Sequence, residues 1–345
     1  MQIVLLTIWH VGNYGAEMQT YATVKALQRL GHKVQVIDYR LNWQQGIKAK
    51  INHCILAITP ASRKFNAFWD KHIPYTRQYF STDDLHRNLP EADLYLVGSD
   101  QVWNPAITKE KCLDYFLSFV PSGKRRASYA SSMGISKWIT DAELTEKIKD
   151  ELLKFEKISC RESDGIDILK NTFNINATRV LDPTLLFSNY PELIGEVQQK
   201  NTFVYYPLFG GSEMECFCKE TAQDLGMQYI NNNRNTYWLY GRLWDRLPIE
   251  AWVKNFAEAK FIATQSFHGT AFSIIHGKQF FTVYNGNKVS RIANLLEALG
   301  LRDRLYPTVA DAKAAKPWMH IIDYTKVNKH LEYLRKNSWI FLKDL

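Results

Sequence analysis

The stretch 261–275, FIATQSFHGTAFSII, places His268 and Gly269 where a short apolar run gives way to a helical pattern. A joint between a buried strand and the first turn of a helix is where open α/β sheets hold their ligands. A helix begins with backbone N–H groups that find no acceptor inside the helix and with a partial positive charge, so an anion can settle there beside a titratable imidazole. His268 is therefore read as the reaction centre. His10, His53 and His72 are isolated in the sequence, and Cys54, Cys112, Cys160, Cys216 and Cys218 include no Cys-x-x-Cys pair. Neither a metal site nor a disulfide framework is indicated, and reduced thiols are the plain reading.

The elements that must position this joint follow from periodicity. Ile3–Ile8 reads as a buried strand, Gly12–Gly15 as a turn, Ala16–Leu30 as a helix and Lys33–Asp38 as the next strand, together a βαβ unit. Asp93–Val97 and Ala127–Ala130 read as strands that deliver Asp100 and Ser131–Gly134 to one rim. Ile158–Cys160 is a short strand ending in Arg161 and Glu162. A second alternating set starts at Thr202–Tyr206 and runs through helix Ser212–Leu225, strand Met227–Ile230, helix Glu250–Ala259, the histidine joint, strand Gln279–Tyr284 and helix Val289–Leu299. With 345 residues, 46% of them hydrophobic, two α/β domains are expected: 1–186 and 187–322, with the helical tail 323–345 packing back on the first.

The net charge of +8 calls for an anionic partner without naming one. The excess is partly local: Lys48, Lys50, Arg63, Lys64, Lys71 and Arg77 face only Asp70, and Phe65, Phe68, Trp69 and Tyr75 lie among them. That segment could rest on an anionic inner leaflet, or it could be a solvated face whose aromatics reach the core. It lacks the surroundings of a nucleic-acid fold, so no nucleic-acid partner is expected. The chain opens on a strand without the basic region of a signal peptide, and no apolar run approaches the roughly 20 residues that cross a bilayer. A cytoplasmic protein, at most peripheral at the inner face of the membrane, is the expectation.

Several segments together resemble the polysaccharide pyruvyl transferase family. They are 12–17 (GNYGAE) with Gln19 and Tyr21, 97–104 (VGSDQVWN), 128–134 (SYASSMG), 160–162 (CRE), 181–184 (LDPT), the Ser266–Gly269 joint, and Arg291 with Asn294-Leu295-Leu296. They run in family order over nearly the whole chain. The resemblance implies two Rossmann-like domains facing across a cleft, as in GT-B glycosyltransferases, with the C-terminal helix returning to the N-terminal domain. It also implies a reaction in which phosphoenolpyruvate gives its pyruvyl group to two hydroxyls of one sugar as a ketal, with release of phosphate.

That reaction needs a grip on a carboxylate and a phosphate, a proton for the methylene carbon and a base for the hydroxyls. His268 can both give and take a proton near neutral pH. The N–H groups of Gly269 and Thr270 with the Ser266 hydroxyl would hold the phosphate, and Arg161 and Arg291 would hold carboxylate or phosphate. Some family members carry a basic residue at the position of Ser266. On the acceptor side, Asn13 and Trp103 would bind the sugar, in a surface polysaccharide or its lipid-linked precursor, and Asp100 or Glu17 would orient or deprotonate a hydroxyl. Phosphoenolpyruvate enters as a substrate, and no metal or organic cofactor is called for. Structural alternatives stand beside these roles: Asp100 as a helix cap, Arg161 and Glu162 as an ion pair, the glycines at 12 and 15 as a tight turn. The rival activity is a GT-B glycosyltransferase with a nucleotide-sugar donor, whose base and ribose would need a pocket near Tyr205, Phe209 and Asn231.

Overall fold

A computed structural model describes residues 1–40, 59–207, 212–233, 245–284, 286 and 289–345. They fall into two compact units. Unit 1 holds 1–40, His72–Leu186 and Glu332–Leu345, and unit 2 holds 59–71 with the described part of Phe187–Leu331.

Unit 1 is built on a parallel sheet of β1 (Gln2–Leu6), β2 (Lys33–Asp38), β3 (Tyr75–Gln78), β4 (Leu94–Val97) and β5 (Arg126–Ser128), in the order β3-β2-β1-β4-β5. Leu5 lies level with Val36 on one side and Leu96 on the other. Ile3 to Leu6 are all buried, as a central parallel strand covered on both faces requires. Helix Tyr14–Arg29 buries Met18, Tyr21, Ala22, Val24 and Leu27 at helical spacing. Gly31, at φ +83°, turns the chain out of it. A short sheet of β6 (Ser159–Cys160) and β7 (Thr178–Arg179) extends the rim through single bridges from Ser131 to Cys160 and from Ala127 to Lys157. Strand order reverses between β1 and β4, so the crevice that favours ligands lies beyond the carboxyl ends of those two strands.

Unit 2 has its own parallel sheet of β8 (Thr202–Tyr206), β9 (Gln228–Asn231), β10 (Phe261–Thr264), β11 (Gln279–Val283) and β12 (Leu305–Tyr306), ordered β12-β11-β10-β8-β9. Counted from β8, this is the 2-1-3-4-5 order of doubly wound sheets, and its reversal falls between β8 and β10. Phe203, Tyr205, Phe261, Ala263, Phe281 and Val283 form the centre of its core.

Between Asp38 and Asp93 the sequence reading assigned no element. The structure forms helix Pro60–His72, edge strand β3 and helix Thr82–Arg87 there. Phe65, Phe68 and Trp69 turn inward, and Lys64 Nζ donates to the Arg246 carbonyl at 2.7 Å while the Arg246 guanidinium lies 4.3 Å above the Phe65 ring. These contacts place 59–71 in unit 2, not in the first domain, and remove its aromatics from the membrane-facing role. Lys48, Lys50 and His53 lie outside the described residues. The helical tail joins unit 1 from Glu332 onward: Arg335 Nε donates to the Leu185 carbonyl at 2.6 Å, and the Leu181 N–H donates to Ser338 Oγ at 2.9 Å. No helix among the described residues is long and apolar enough to cross a membrane.

Candidate active site

In unit 2 the chain leaves β10 at Thr264 and enters helix Phe267–Ile275, with Ser266 as the N-cap. This is the carboxyl end of the strand at the order reversal. The first intrahelical bond runs from the Thr270 N–H to the Ser266 carbonyl at 2.9 Å, so the N–H groups of Phe267, His268 and Gly269 precede it at the positive end of the helix. The Ser266 hydroxyl makes no capping bond. His268 is mostly buried, edge-on to the Phe267 ring at 5.2 Å. Arg291 lies in helix Val289–Ala298, which packs against the His268 helix.

One of the expected phosphate contacts, the Thr270 N–H, is corrected by this geometry, and the glycine before it has a cause of its own. Thr270 spends its N–H inside the helix, and its hydroxyl pairs with the Ser266 carbonyl at 3.0 Å and with Thr282 Oγ1 at 2.9 Å. The strand end by itself requires glycine at 269. A Cβ there would sit 2.1 Å from Thr264 Oγ1 and 2.9 Å from Tyr206 Cδ1. Thr264 Oγ1 cannot readily withdraw, since it donates to the Tyr206 carbonyl at 2.9 Å and accepts from the Ser266 N–H at 3.1 Å. Gly269→Ala is therefore expected to lower unfolding free energy by about 1–3 kcal/mol in urea titration, with part of the loss recovered in a double variant carrying Thr264→Ala.

In unit 1 the loop after β1 carries the acceptor-side residues. Asn13 caps helix Tyr14–Arg29, its Oδ1 accepting from the Gly15 and Ala16 N–H groups at 2.9 and 3.3 Å. Glu17 is fully buried, and its carboxylate accepts from the N–H groups of Gly12 at 3.2 Å and His10 at 3.4 Å. Glu17 thus ties the loop back onto the helix. Asp100, beyond β4, holds φ +75° without being glycine and accepts from the Gln101 N–H at 2.9 Å. Such strain is maintained only where surrounding contacts over-determine the backbone.

Trp103 does not face a sugar. Its ring is fully buried, stacked on Phe116 at 5.3 Å, and its indole N–H donates to the Tyr115 carbonyl at 2.9 Å. The pattern 97–104 places it past a tight turn, where the chain re-enters the core. Arg161 is likewise interior. Its Nε donates to Glu162 Oε1 at 2.6 Å, its Nη1 to Asp182 Oδ2 at 2.8 Å, and its Nη2 lies 3.6 Å from Asp100 Oδ1. Burial works against its charge, but Glu162, Asp182 and Asp100 outweigh it and hold the guanidinium pKa above the ordinary arginine range. The ion-pair alternative describes Arg161 as it stands.

One constellation was missed by sequence reasoning, which set His10 aside as isolated. His10 Nδ1 lies 3.1 Å from Asp38 Oδ1, and Arg40 grips the same carboxylate with Nε at 2.9 Å and Nη2 at 2.8 Å. Burial opposes the Asp38 charge, but the bonds from His10 and Arg40 prevail and leave its pKa below the usual carboxylate value. The signal was topological: β1 and β2 are parallel neighbours, so residues just past their ends must meet.

The family model for polysaccharide pyruvyl transferases matches residues 13–287, most of the chain and parts of both units. The chain belongs to the polysaccharide pyruvyl transferase family. Curated proteins provided no match. Among solved structures, this pyruvyl transferase family member is similar to a putative UDP-N-acetylglucosamine 2-epimerase from Listeria monocytogenes, at 11% identity and TM-score 0.52, covering 96% of this chain and 91% of that one. It is also similar to the spinosyn forosaminyltransferase SpnP, at 13% identity and TM-score 0.50, covering 97% and 94%. At such identities the likeness concerns the fold, which is that of GT-B glycosyltransferases with two Rossmann-like units. In the family member described here, Tyr205 Oη donates to Gln265 Oε1 at 3.0 Å and Asn231 Oδ1 accepts from the Asn233 N–H at 2.9 Å. Phe209 lies outside the described residues.

Proposed function

We propose that the protein transfers the pyruvyl group of phosphoenolpyruvate to two hydroxyls of one sugar in a surface polysaccharide or its lipid-linked precursor. The observation that carries this reading is the family match together with His268 at the positive end of its helix, beyond the strand at the order reversal. The donor carries carboxylate and phosphate charge, which suits the Gly269 N–H, the Ser266 hydroxyl and Arg291 in unit 2.

The chemistry assigns one proton to each step. His268 protonates the methylene carbon as the first hydroxyl oxygen bonds to C2, phosphate then leaves, and the second hydroxyl closes the ketal at the same carbon. One hydroxyl proton ends on the new methyl group and the other leaves with phosphate. Asp100, at the rim of the unit 1 sheet, orients the attacking hydroxyl. This chemistry requires no metal or organic cofactor, and its substrates place the protein in the cytoplasm, where a lipid-linked acceptor would bring it to the inner face of the membrane.

Calorimetric titration with phosphoenolpyruvate and with UDP separates this reading from a nucleotide-sugar glycosyltransferase. Binding of phosphoenolpyruvate, followed by phosphate release that depends on an added oligosaccharide, is the expected result. Binding of UDP without binding of phosphoenolpyruvate would overturn it.

A further inference from the structure

We propose that residues 319–321 of unit 2, with the lysines on either side of them, seat the protein on an anionic lipid surface; this goes beyond the pyruvyl transfer reading and does not rest on it. Met319 is 69% exposed and Ile321 84%, two large apolar side chains within three residues. Single apolar residues on a surface need no explanation, but a paired and rigidly held one marks a contact site.

The tip is held firmly from behind. Pro317 and Ile322 are buried on its two sides, and Trp318 packs on the unit 2 core with its ring 5.9 Å from that of Phe217. The buried Arg304 clamps the backbone, its Nη1 donating to the Pro317 carbonyl at 3.0 Å and to the His320 carbonyl at 2.8 Å. The Ile322 N–H donates to Gln279 Oε1 at 2.7 Å. With Trp318 and Ile322 drawn inward, Met319 and Ile321 are left outside by construction, and a backbone already fixed in place loses little freedom when a partner arrives.

Charge chooses the partner. Lys313 and Lys316 precede the tip, Lys326 and Lys329 follow it on the first turns of helix Tyr324–Lys343, and all four are exposed. None of them pairs with a carboxylate among the described residues. The acids of the same stretch are engaged locally: Asp311 Oδ2 accepts from the Thr308 N–H at 3.1 Å and its hydroxyl at 2.6 Å, and Asp323 Oδ1 accepts from the Thr325 N–H at 3.0 Å. Cations flanking an apolar tip match acidic phospholipid, whose headgroups take the ammonium groups while the two side chains enter the acyl boundary. Two apolar side chains are too few for a stable protein interface, which buries about 800 Å² on each partner.

Vesicle sedimentation in the absence of phosphoenolpyruvate tests the assignment. Wild-type protein is expected to bind vesicles containing phosphatidylglycerol at least about tenfold more tightly than vesicles of phosphatidylcholine alone, and to be released from the former by salt. Met319→Ser with Ile321→Ser is expected to weaken that binding by about tenfold or more. Lys313→Gln with Lys316→Gln is expected to weaken it by about 10- to 30-fold. Both pairs lie on the surface, so urea midpoints are expected to stay at the wild-type value. Absence of wild-type binding to phosphatidylglycerol vesicles would overturn the assignment. So would binding that Met319→Ser with Ile321→Ser leaves within about twofold, which is adsorption of a basic chain at large. Self-association of wild-type protein that the same pair abolishes would give the tip to a second copy and overturn it as well. Failure of the pyruvyl transfer reading is seen separately, as wild-type protein that releases no phosphate from phosphoenolpyruvate with any acceptor.

Discussion

Replacing His268 by asparagine is expected to reduce acceptor-dependent phosphate release by about 10²–10⁴-fold while phosphoenolpyruvate still binds and the protein unfolds near the wild-type temperature. The three readouts belong together. His268 is the second residue of its helix. The joint is held by Thr264 Oγ1 on the Tyr206 carbonyl and by the Thr270 hydroxyl on the Ser266 carbonyl. Removing the imidazole therefore leaves the N–H groups of the first turn in place to hold an anion, and takes away the proton for the methylene carbon. An interaction made only in the transition state lowers kcat and kcat/KM together and leaves ground-state binding alone. Single-turnover phosphate release and calorimetry on the same preparation measure both. Turnover within tenfold of wild type would remove His268 from the proton transfer.

The elements that carry the site were legible because their patterns are regular. Buried parallel strands read as short apolar runs, and β1, β8 and β10 were found that way; helix Tyr14–Arg29 was found by helical spacing and its terminal Gly31. The basic segment was harder. Helix Pro60–His72 mixes cations with inward-facing Phe65, Phe68 and Trp69, so composition pointed to a surface while the aromatic spacing pointed to a core. Side-chain direction at strand ends was not legible at all. Asp100 and Trp103 lie three residues apart past the same strand, yet a backbone at φ +75° sends one toward the rim and the other under it. Gly269 was singled out correctly as special, for a ligand, and Thr264 by itself already requires glycine there.

Pairing across the sheet explains the remaining misses. His10 and Asp38 are 28 positions apart, and nothing along the chain joins them; the parallel pairing of β1 with β2 does. Glu17 was expected to reach a sugar hydroxyl, and its two backbone bonds instead shape the loop that presents His10.

Arg161→Leu is expected to destabilise the fold by about 3–5 kcal/mol, because it leaves buried carboxylates without their cation. Glu162 and Asp182 are both interior, and the guanidinium bonds to each. Asp182 is further fixed by Ser99 Oγ at 3.0 Å and by the Thr184 N–H and hydroxyl at 3.0 and 2.7 Å, so it cannot swing out to water. A donor-gripping arginine would behave differently: its loss would weaken phosphoenolpyruvate binding and leave urea unfolding unchanged. The two outcomes are separated by measuring urea midpoints and phosphoenolpyruvate affinity side by side. A companion variant sharpens the comparison, since Arg161→Leu with Glu162→Gln and Asp182→Asn removes the charges together and is expected to recover much of the lost stability. Recovery of the fold without recovery of turnover would then mark the contribution of Arg161 to catalysis as the placement of Asp100, 3.6 Å from its Nη2.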